Sequence, residues 1–319
     1  MKKLFFLFFV LPLVAVAGEV TVSGVTARQR YPWNGLVDIT VTLQGESNLV
    51  AWAEYEFVAT NNATKAAVPV VHVTRNGAIS GGGTIWTQKF IWDAKTDVGA
   101  VKIDDVTLTV DASFGVQLWE DGPYWAGRNV GATKPEECGY YFWWGDTVGY
   151  TNSASGWNAV DGSKAGFSFS SVNCPTCDKS NSDLLSVGYI DSTGNLVAAH
   201  DAATVHLGGP WRMPTDAEFS ALINNCDTEW TSRNGVFGRL VKGRGTYATK
   251  SIFLPAAGDG LSSGLNDGLG SCGAYWSSTT YSGYSGSAWY LYFYLRTFGS
   301  IHTYRYYGRS VRAVRGFAR

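Results

Sequence analysis

The residues best suited to catalysis in this sequence are few. Cys174 and Cys177 form a Cys-Pro-Thr-Cys motif, which is typical of a redox centre or of half a zinc site. No second CxxC motif or His pair completes the zinc site, and no βαβ pattern surrounds the motif as in thioredoxin-like proteins. We therefore predict a local disulfide or buried thiols here. We expect no catalytic residue, no metal and no cofactor, and hence a protein that is not an enzyme.

The end of the chain has a composition typical of a recognition surface. From Cys272 to Arg319 there is no Asp, Glu, Lys, Asn, Gln, Met or Pro, whereas Tyr, Ser, Gly and Arg recur. Tyr offers a large contact area at low entropic cost, Ser and Gly adapt to polar partners, and Arg supplies planar donors that also stack. A general base or metal ligand would have to be His302. It has no neighbouring His, Cys or carboxylate in the sequence, so we interpret it as a contact residue.

Residues 288–295 alternate with the two-residue period of a β-strand. The odd-numbered residues, from Trp289 to Leu295, are expected to pack into the core. The even-numbered tyrosines are expected to form an exposed aromatic patch, which would mark an interaction site. The alternative is that both faces are buried and the tyrosines belong to the core. The predicted ligand-binding residues are Tyr281, Tyr284, Tyr290, Tyr292, Tyr294, Arg296, His302, Tyr304, Tyr306 and Tyr307.

The segment around these residues is assigned to the same surface. Residues 298–307, which include Arg305, are predicted to lie at the recognition surface because Tyr and Arg are enriched in binding hot spots. Residues 310–314 then resume a short alternating strand. We expect this strand to close the fold beside the N-terminal part of its domain.

The beginning of the chain predicts export. Lys2 and Lys3 precede an apolar run over residues 5–14, and Ala15-Val16-Ala17 forms a small-x-small cleavage site. We therefore expect a signal peptide over residues 1–17, cleaved after Ala17, and a secreted or extracytoplasmic protein that is free or held at the cell surface. The run is too short to span a bilayer, and later apolar runs are all interrupted. A net charge of −1 without a Lys/Arg cluster argues against a nucleic-acid partner.

The mature chain is long enough for two domains. Residues 18–113 contain β-branched and aromatic runs separated by Gly, Asn and Ser breaks, which predicts a small β-sandwich. Asp104 and Asp105 are interpreted as a solvated turn. The second domain, residues 116–319, is expected to be α+β, so the whole chain is mainly β. A polar stretch over residues 145–205 predicts a long, variable loop region.

One helix is well marked in the second domain. Thr215 is a natural N-cap, and Glu218 lies three residues later, which together make a capping box. Phe219, Leu222 and Ile223 provide an apolar face at helical spacing. Capping explains both acidic residues of this helix, Asp216 and Glu218, without catalysis.

The second domain carries a series of short motifs in fixed order. They are YWAGRNVGA at 124–132, GYYFWWGD at 139–146, WRMPT at 211–215, FLPAAG at 253–258, YWSS at 275–278 and SVR at 310–312. The series resembles the Fibrobacter succinogenes major paralogous (FISUMP) domain family over about residues 120–316. The resemblance implies a C-type-lectin-like fold. The first domain loosely resembles Ig-like modules of exported bacterial proteins.

The tail, residues 275–312, resembles the variable region of proteins diversified by retroelements. In that group, adenines of Asn codons in a template are replaced at random. An AAC or AAT codon changed at its first two positions reaches Tyr, Ser, Gly, Arg or His, but never Lys, Glu, Gln, Met or Trp. Between residues 281 and 308 only Trp289 is unreachable. The resemblance implies a binding surface for a protein or glycan on a cell or phage. An ordinary FISUMP tail, in a structural or adhesive protein, remains the alternative.

Two further alternatives have weaker motifs. Enzymes of the formylglycine-generating type resemble this domain in fold and in an Arg-x-Pro-Thr-x-x-Glu helix, but their chemistry needs two cysteines near the C-terminus, where this chain has Cys272. Calcium-dependent sugar binding could use Asp259, Asn266 and Asp267 as oxygen ligands. Gly-flanked Asp and Asn are, however, ordinary turn residues, and the calcium-lectin signatures are missing.

Overall fold

The computed structural model of the protein describes residues 20–45, 50, 53–99, 106–113, 115–261 and 266–316. The predicted signal peptide and the pair Asp104-Asp105 lie outside these residues. The chain divides into two compact units, Met1–Phe114 and Gly115–Arg319. It is mainly β, with 45% strand and 12% helix, which confirms the coarse fold class. No helix among the described residues is long and apolar enough to cross a membrane.

The first unit consists of two antiparallel sheets. Its elements are β1 (Thr21–Gln29), β2 (Leu36–Gln44), β3 (Glu54–Asn61), β4 (Ala67–Val68), β5 (Val73–Arg75), β6 (Ser80–Gly82), β7 (Ile85–Asp93), α1 (Ala94–Val98) and β8 (Val106–Ser113). One sheet has the order β1-β2-β7-β5, with β6 also paired to β7, and the other has the order β4-β3-β8. Alternation in β2 buries Val37, Ile39, Val41 and Leu43 in one core with residues of both sheets.

The second unit begins with short strands and three helices. In chain order they are β9 (Val116–Gln117), β10 (Tyr124–Asn129), β11 (Tyr141–Phe142), β12 (Tyr150–Ser153), β13 (Gly156–Ala159), α2 (Asn181–Ser186), a 3-10 turn (Ala198–His200), α3 (Ala202–Leu207) and α4 (Asp216–Asn225). Its second half is almost entirely β. The elements are β14 (Asp227–Arg233), β15 (Val236–Lys242), a 3-10 turn (Gly245–Tyr247), β16 (Ser251–Pro255), β17 (Asp259–Gly260), β18 (Asn266–Asp267), β19 (Gly273–Thr280), β20 (Ser287–Phe293), β21 (Phe298–Tyr304), β22 (Arg309–Ser310) and β23 (Arg312–Arg315).

A seven-stranded sheet of order β13-β12-β11-β22-β19-β20-β21 carries the tail of the chain. Smaller sheets are β23-β10-β9, β14-β15-β16 and β17-β18. β23 pairs antiparallel with β10, so the end of this unit lies beside its beginning. This pairing confirms the expected position of the last strand.

Helix α4 begins as the sequence predicts. Thr215 is its N-cap, and the capping box with Glu218 is complete. Arg212 adds a bidentate ion pair, with Nη1 and Nη2 donating to the two Glu218 oxygens at 2.7 and 2.6 Å. Burial by itself would raise the pKa of Glu218, but the hydrogen bonds and charge of Arg212 hold it below its ordinary value. Phe219 and Leu222 are buried against the β20 side of the sheet.

The polar stretch over residues 145–205 is not the long loop that we expected. β12 and β13 form a hairpin in its first part, and α2 and α3 lie in its second part. Trp157 and Phe169 are fully buried, with ring centroids 4.9 Å apart. A few large aromatic side chains therefore organise a segment in which small polar residues dominate the composition.

Candidate ligand-binding surface

Hydrogen bonds connect the sequence motifs on which the family resemblance is based. The indole N–H of Trp276 donates to the carbonyl of Phe142 at 2.9 Å, and that of Trp144 donates to the carbonyl of Ser277 at 2.9 Å. Arg312 Nε donates to Asn129 Oδ1 at 2.9 Å. All these side chains are buried. They form a hydrogen-bonded framework that joins the tail to the segments around Asn129 and Phe142.

The two faces of β20 differ from the predicted pattern. Leu291 and Phe293 are fully buried in the core that contains α4, as expected. Leu295 lies beyond the end of β20 and is 59% exposed, contrary to its predicted core position. Tyr290 is only 6% exposed, so the prediction that it stands in an exposed patch is wrong. It packs with Trp276 in a second core, which covers the opposite face of the strand.

An arginine stack explains the burial of Tyr290. The Arg309 guanidinium lies 3.4 Å from the Tyr290 ring centroid and 4.6 Å from that of Trp276. Arg309 Nε also donates to Asp259 Oδ1 at 2.7 Å. Burial raises the pKa of Tyr290, which therefore stays neutral at physiological pH. The sequence does not predict this stack, because Arg309 and Tyr290 lie on different strands.

Six of the predicted tyrosines are partly exposed, and we call this set the tyrosine band. Its members are Tyr284, Tyr292, Tyr294, Tyr304, Tyr306 and Tyr307. They form two groups, because the β20–β21 register places Tyr292 and Tyr304 on opposite faces of the sheet. In the first group, Tyr292 and Tyr294 meet at right angles with ring centroids 4.6 Å apart. In the second group, the ring centroid of Tyr304 lies 5.9 Å from that of Tyr284, and Tyr304 stacks on Tyr306 at 5.3 Å.

Exposure differs among the members of the tyrosine band. Tyr284 is 57% exposed, Tyr294 45% and Tyr304 42%. Tyr306 and Tyr307 are half-buried, with ring centroids 4.6 Å apart. A hydrogen bond with Tyr307, together with burial, raises the pKa of Tyr306 to about 12. Tyr306 is therefore neutral at physiological pH.

Tyr281 and His302 lie in a separate aromatic cluster. Their rings stack at 3.6 Å and are nearly parallel, at 4°. Trp289 is opposite His302 in the strand pairing and contacts both rings edge-on. The described contacts of His302 are therefore with aromatic rings. They favour a role in contacting a ligand over a role in acid–base chemistry. Arg296 is exposed in the turn between β20 and β21.

Arg305 does not lie at the recognition surface where the sequence placed it. It is fully buried, and its guanidinium faces the Trp144 ring at 4.8 Å. Nε donates to the Ser287 carbonyl at 3.1 Å, and Nη1 donates to the carbonyls of Thr176 and Lys179 at 3.2 and 3.1 Å. Nη2 donates to Asn181 Oδ1 at 2.6 Å. Arg305 therefore ties the tail to the segment that follows Cys174.

The five cysteines form one disulfide and three free thiols. Cys174 and Cys177 form a local disulfide, as one of the two predicted alternatives requires. Cys138, Cys226 and Cys272 are free thiols. Burial raises the pKa of Cys226 to about 11 and that of Cys272 to about 12. Both are thus protonated at physiological pH, and the protonated thiol is a poor nucleophile.

Of the residues considered for calcium, Asp259 and the amide nitrogen of Asn266 have protein partners, whereas the buried Asn266 Oδ1 has none among the described residues. Asp259 is paired with Arg309, and Asn266 Nδ2 donates to the Tyr141 hydroxyl at 2.7 Å and to the Ala257 carbonyl at 3.0 Å. Asp267 lies opposite Asp259 in the β17–β18 pairing. Within the described part of the chain, no group of three or more His, Cys, Asp or Glu side chains could hold a metal ion.

Comparison with known proteins gives no match to a family model, to a curated protein or to a solved structure. Exposed tyrosines with small polar residues are also typical of antibody paratopes.

Proposed function

We propose that this protein is a secreted or surface-exposed binding protein whose second domain presents the tyrosine band to a macromolecular ligand. The observation that carries the proposal is the combination of exposed rings and a hydrogen-bonded framework. Tyr284, Tyr294 and Tyr304 are open to solvent, whereas Arg305 and Arg309 of the same tail are buried and hydrogen-bonded. A preorganised aromatic surface loses little entropy on binding.

We further propose that the first domain is an Ig-like spacer and that the second is a C-type-lectin-like domain of the FISUMP type. The two-sheet core of the first unit and the pairing of β23 with β10 in the second support this assignment. The disulfide between Cys174 and Cys177 supports an oxidising, extracytoplasmic location. The ligand is a protein or a glycan of a cell or phage surface.

The binding role predicts the effect of removing single rings. Tyr284→Ala and Tyr304→Ala should each weaken ligand binding at least tenfold, about 1.4 kcal/mol, because exposed tyrosines are typical hot spots. Binding is measured on a glycan array and with a displayed library of linear peptides. Both variants should keep the thermal midpoint of the wild type. Tyr31→Ala is the matched control, since Tyr31 is 90% exposed but lies in the first unit. Unchanged binding by both tail variants would contradict the proposal.

Diversification by a retroelement is the finer part of this proposal. Trp289, the one unreachable residue in the segment, is half-buried in an aromatic cluster and is thus suited to be a fixed scaffold position. Replaceable positions need exposure, because a buried position must keep its shape. The exposed tyrosines therefore fit replacement, and Tyr290 does not.

The nucleotide sequence beside the 3′ end of the gene tests this idea. We expect a near-identical template copy, next to a reverse transcriptase gene, with AAC or AAT at the codons of Tyr284, Tyr294 and Tyr304. At Tyr290 the template should already encode tyrosine. Absence of both the copy and the reverse transcriptase would leave a fixed surface protein.

A further inference from the structure

The outer edge of the seven-stranded sheet is open along β21. This strand lies at the end of the sheet order and pairs with β20 on its inner side. Among the described residues, no strand pairs with its outer side. Ile301 is 43% exposed and Tyr304 is 42% exposed, and His302 is exposed as well. The open part of the edge therefore runs through the predicted binding residues.

The hydrogen-bond pattern between β20 and β21 shows which backbone groups of β21 point away from the sheet. Tyr294 N donates to the Thr297 carbonyl at 3.0 Å, and Arg305 N donates to the Gly286 carbonyl at 2.9 Å, on either side of the β20–β21 ladder. Bonded pairs alternate in an antiparallel ladder, so the odd-numbered residues of β21 face β20. The N–H and C=O groups of Ser300, His302 and Tyr304 consequently point away from the sheet.

The opposite edge of the same sheet is closed by its own chain. β13 is the last strand there, and Trp157 exchanges two backbone hydrogen bonds with Phe167, at 3.0 and 3.1 Å. Ala159 N also donates to the Lys164 carbonyl at 2.8 Å. The openness of β21 is therefore specific to the edge that carries the tail.

β21 lacks the residue types and bulges that usually protect an edge against strand addition, although its Ser300 hydroxyl donates to Asp216 at the start of α4. Exposed edges are commonly blocked by Lys, Pro, inward charges or bulges. The β21 sequence, Phe-Gly-Ser-Ile-His-Thr-Tyr, contains no Lys, Pro, Asp or Glu, and its pairing with β20 is regular over all seven residues. The edge is thus chemically able to accept another strand.

We infer that the ligand is a protein that adds an extended strand to β21, with its backbone bonded to Ser300, His302 and Tyr304. This inference rests on the proposed function and specifies its partner. A row of alternating N–H and C=O groups is matched by an extended polypeptide, whereas a glycan lacks that repeat. Ring clusters flank the edge on the His302 side, where Tyr281 stacks on His302, and at its end, where Tyr284 contacts Tyr304. They supply side-chain selectivity to the main-chain contacts.

Backbone methylation of a bound peptide tests this mode without altering the protein. Linear peptides selected from a displayed library on the full chain are resynthesised with one N-methyl amide at a time. We expect binding to fall at least tenfold at alternate positions and to change little at the positions between them, because alternate amides of an added strand face β21. A flat scan, or losses without the two-residue period, would overturn the inference.

The matched protein variants are His302→Pro and His302→Ala. Proline removes the outward N–H and is tolerated on edge strands, whereas alanine keeps that N–H and removes the ring. The proline variant should lose at least tenfold more peptide affinity than the alanine variant, at an unchanged thermal midpoint. If proline disturbs folding, the methyl scan on the wild-type protein still decides the question.

Other outcomes separate this inference from the proposed function. Glycan binding that Tyr304→Ala abolishes, with no peptide selected, would overturn strand addition and keep the tyrosine band as the binding surface. A dimer of the wild-type chain that His302→Pro dissociates would assign the edge to a second copy and likewise overturn the inference. Absence of any peptide or glycan ligand would contradict both.

Discussion

Replacing Arg305 with alanine is expected to lower the free energy of unfolding by about 3–5 kcal/mol, as for other disrupted buried charge networks. The guanidinium is fully buried and donates to three carbonyls and to Asn181. Alanine removes the Arg305 donor from the Lys179 carbonyl and from Asn181 Oδ1, and it leaves the Ser287 and Thr176 carbonyls with only their backbone donors. It also opens a void against Trp144. Each unsatisfied buried acceptor costs about 1–3 kcal/mol. Urea unfolding, followed by a signal from the second unit, measures the change.

Two matched variants define the origin of that loss. Arg296→Ala removes an exposed arginine of the same tail and should change the unfolding free energy by less than about 0.5 kcal/mol. Arg305→Lys keeps the positive charge but lacks the planar guanidinium group with its several donors. Its free energy of unfolding should therefore remain well below that of the wild type. A stable Arg305→Ala variant would show that the segment after Cys174 is not held by this residue.

The sequence predicts those features that short stretches of chain determine. Thr215 and Glu218 define the start of α4 because a capping box needs two residues three positions apart. Leu291 and Phe293 are correctly assigned to the core because strand alternation is a local property. These signals require no knowledge of distant contacts.

The features that the sequence does not predict depend on distant partners. Alternation separates Tyr290 from Leu291, but it does not show whether a second layer covers the tyrosine face. That layer includes Trp276 and Arg309, which lie on other strands and contact the Tyr290 ring. The residue type of Arg305 predicts a surface position, whereas in the structure Trp144 and Asn181 enclose its side chain. Residues 145–205 likewise contain large buried aromatic side chains, but the polar residues around them predict a loop.

The contrast between Tyr290 and Tyr294 follows from that second layer. Tyr290→Ala should cost about 3–5 kcal/mol, the usual range for removing a buried aromatic ring. It also removes the ring on which the Arg309 guanidinium stacks. Tyr294→Ala should cost less than about 1 kcal/mol, because that side chain is 45% exposed. Tyr290→Phe keeps the ring and serves as the control for loss of the hydroxyl, which should cost about 1 kcal/mol.

Comparing stability with binding in these variants separates core from contact residues. Tyr294→Ala should weaken ligand binding while the unfolding transition stays cooperative and unshifted. Tyr290→Ala should shift the transition itself, so any loss of binding follows from unfolding. If Tyr294→Ala destabilises as much as Tyr290→Ala, the even-numbered tyrosines are all core, and the recognition surface must lie elsewhere in the tail. If neither variant lowers the stability, the layer of Trp276 and Arg309 does not pack on β20. Tyr290, Tyr292 and Tyr294 would then all belong to the contact surface.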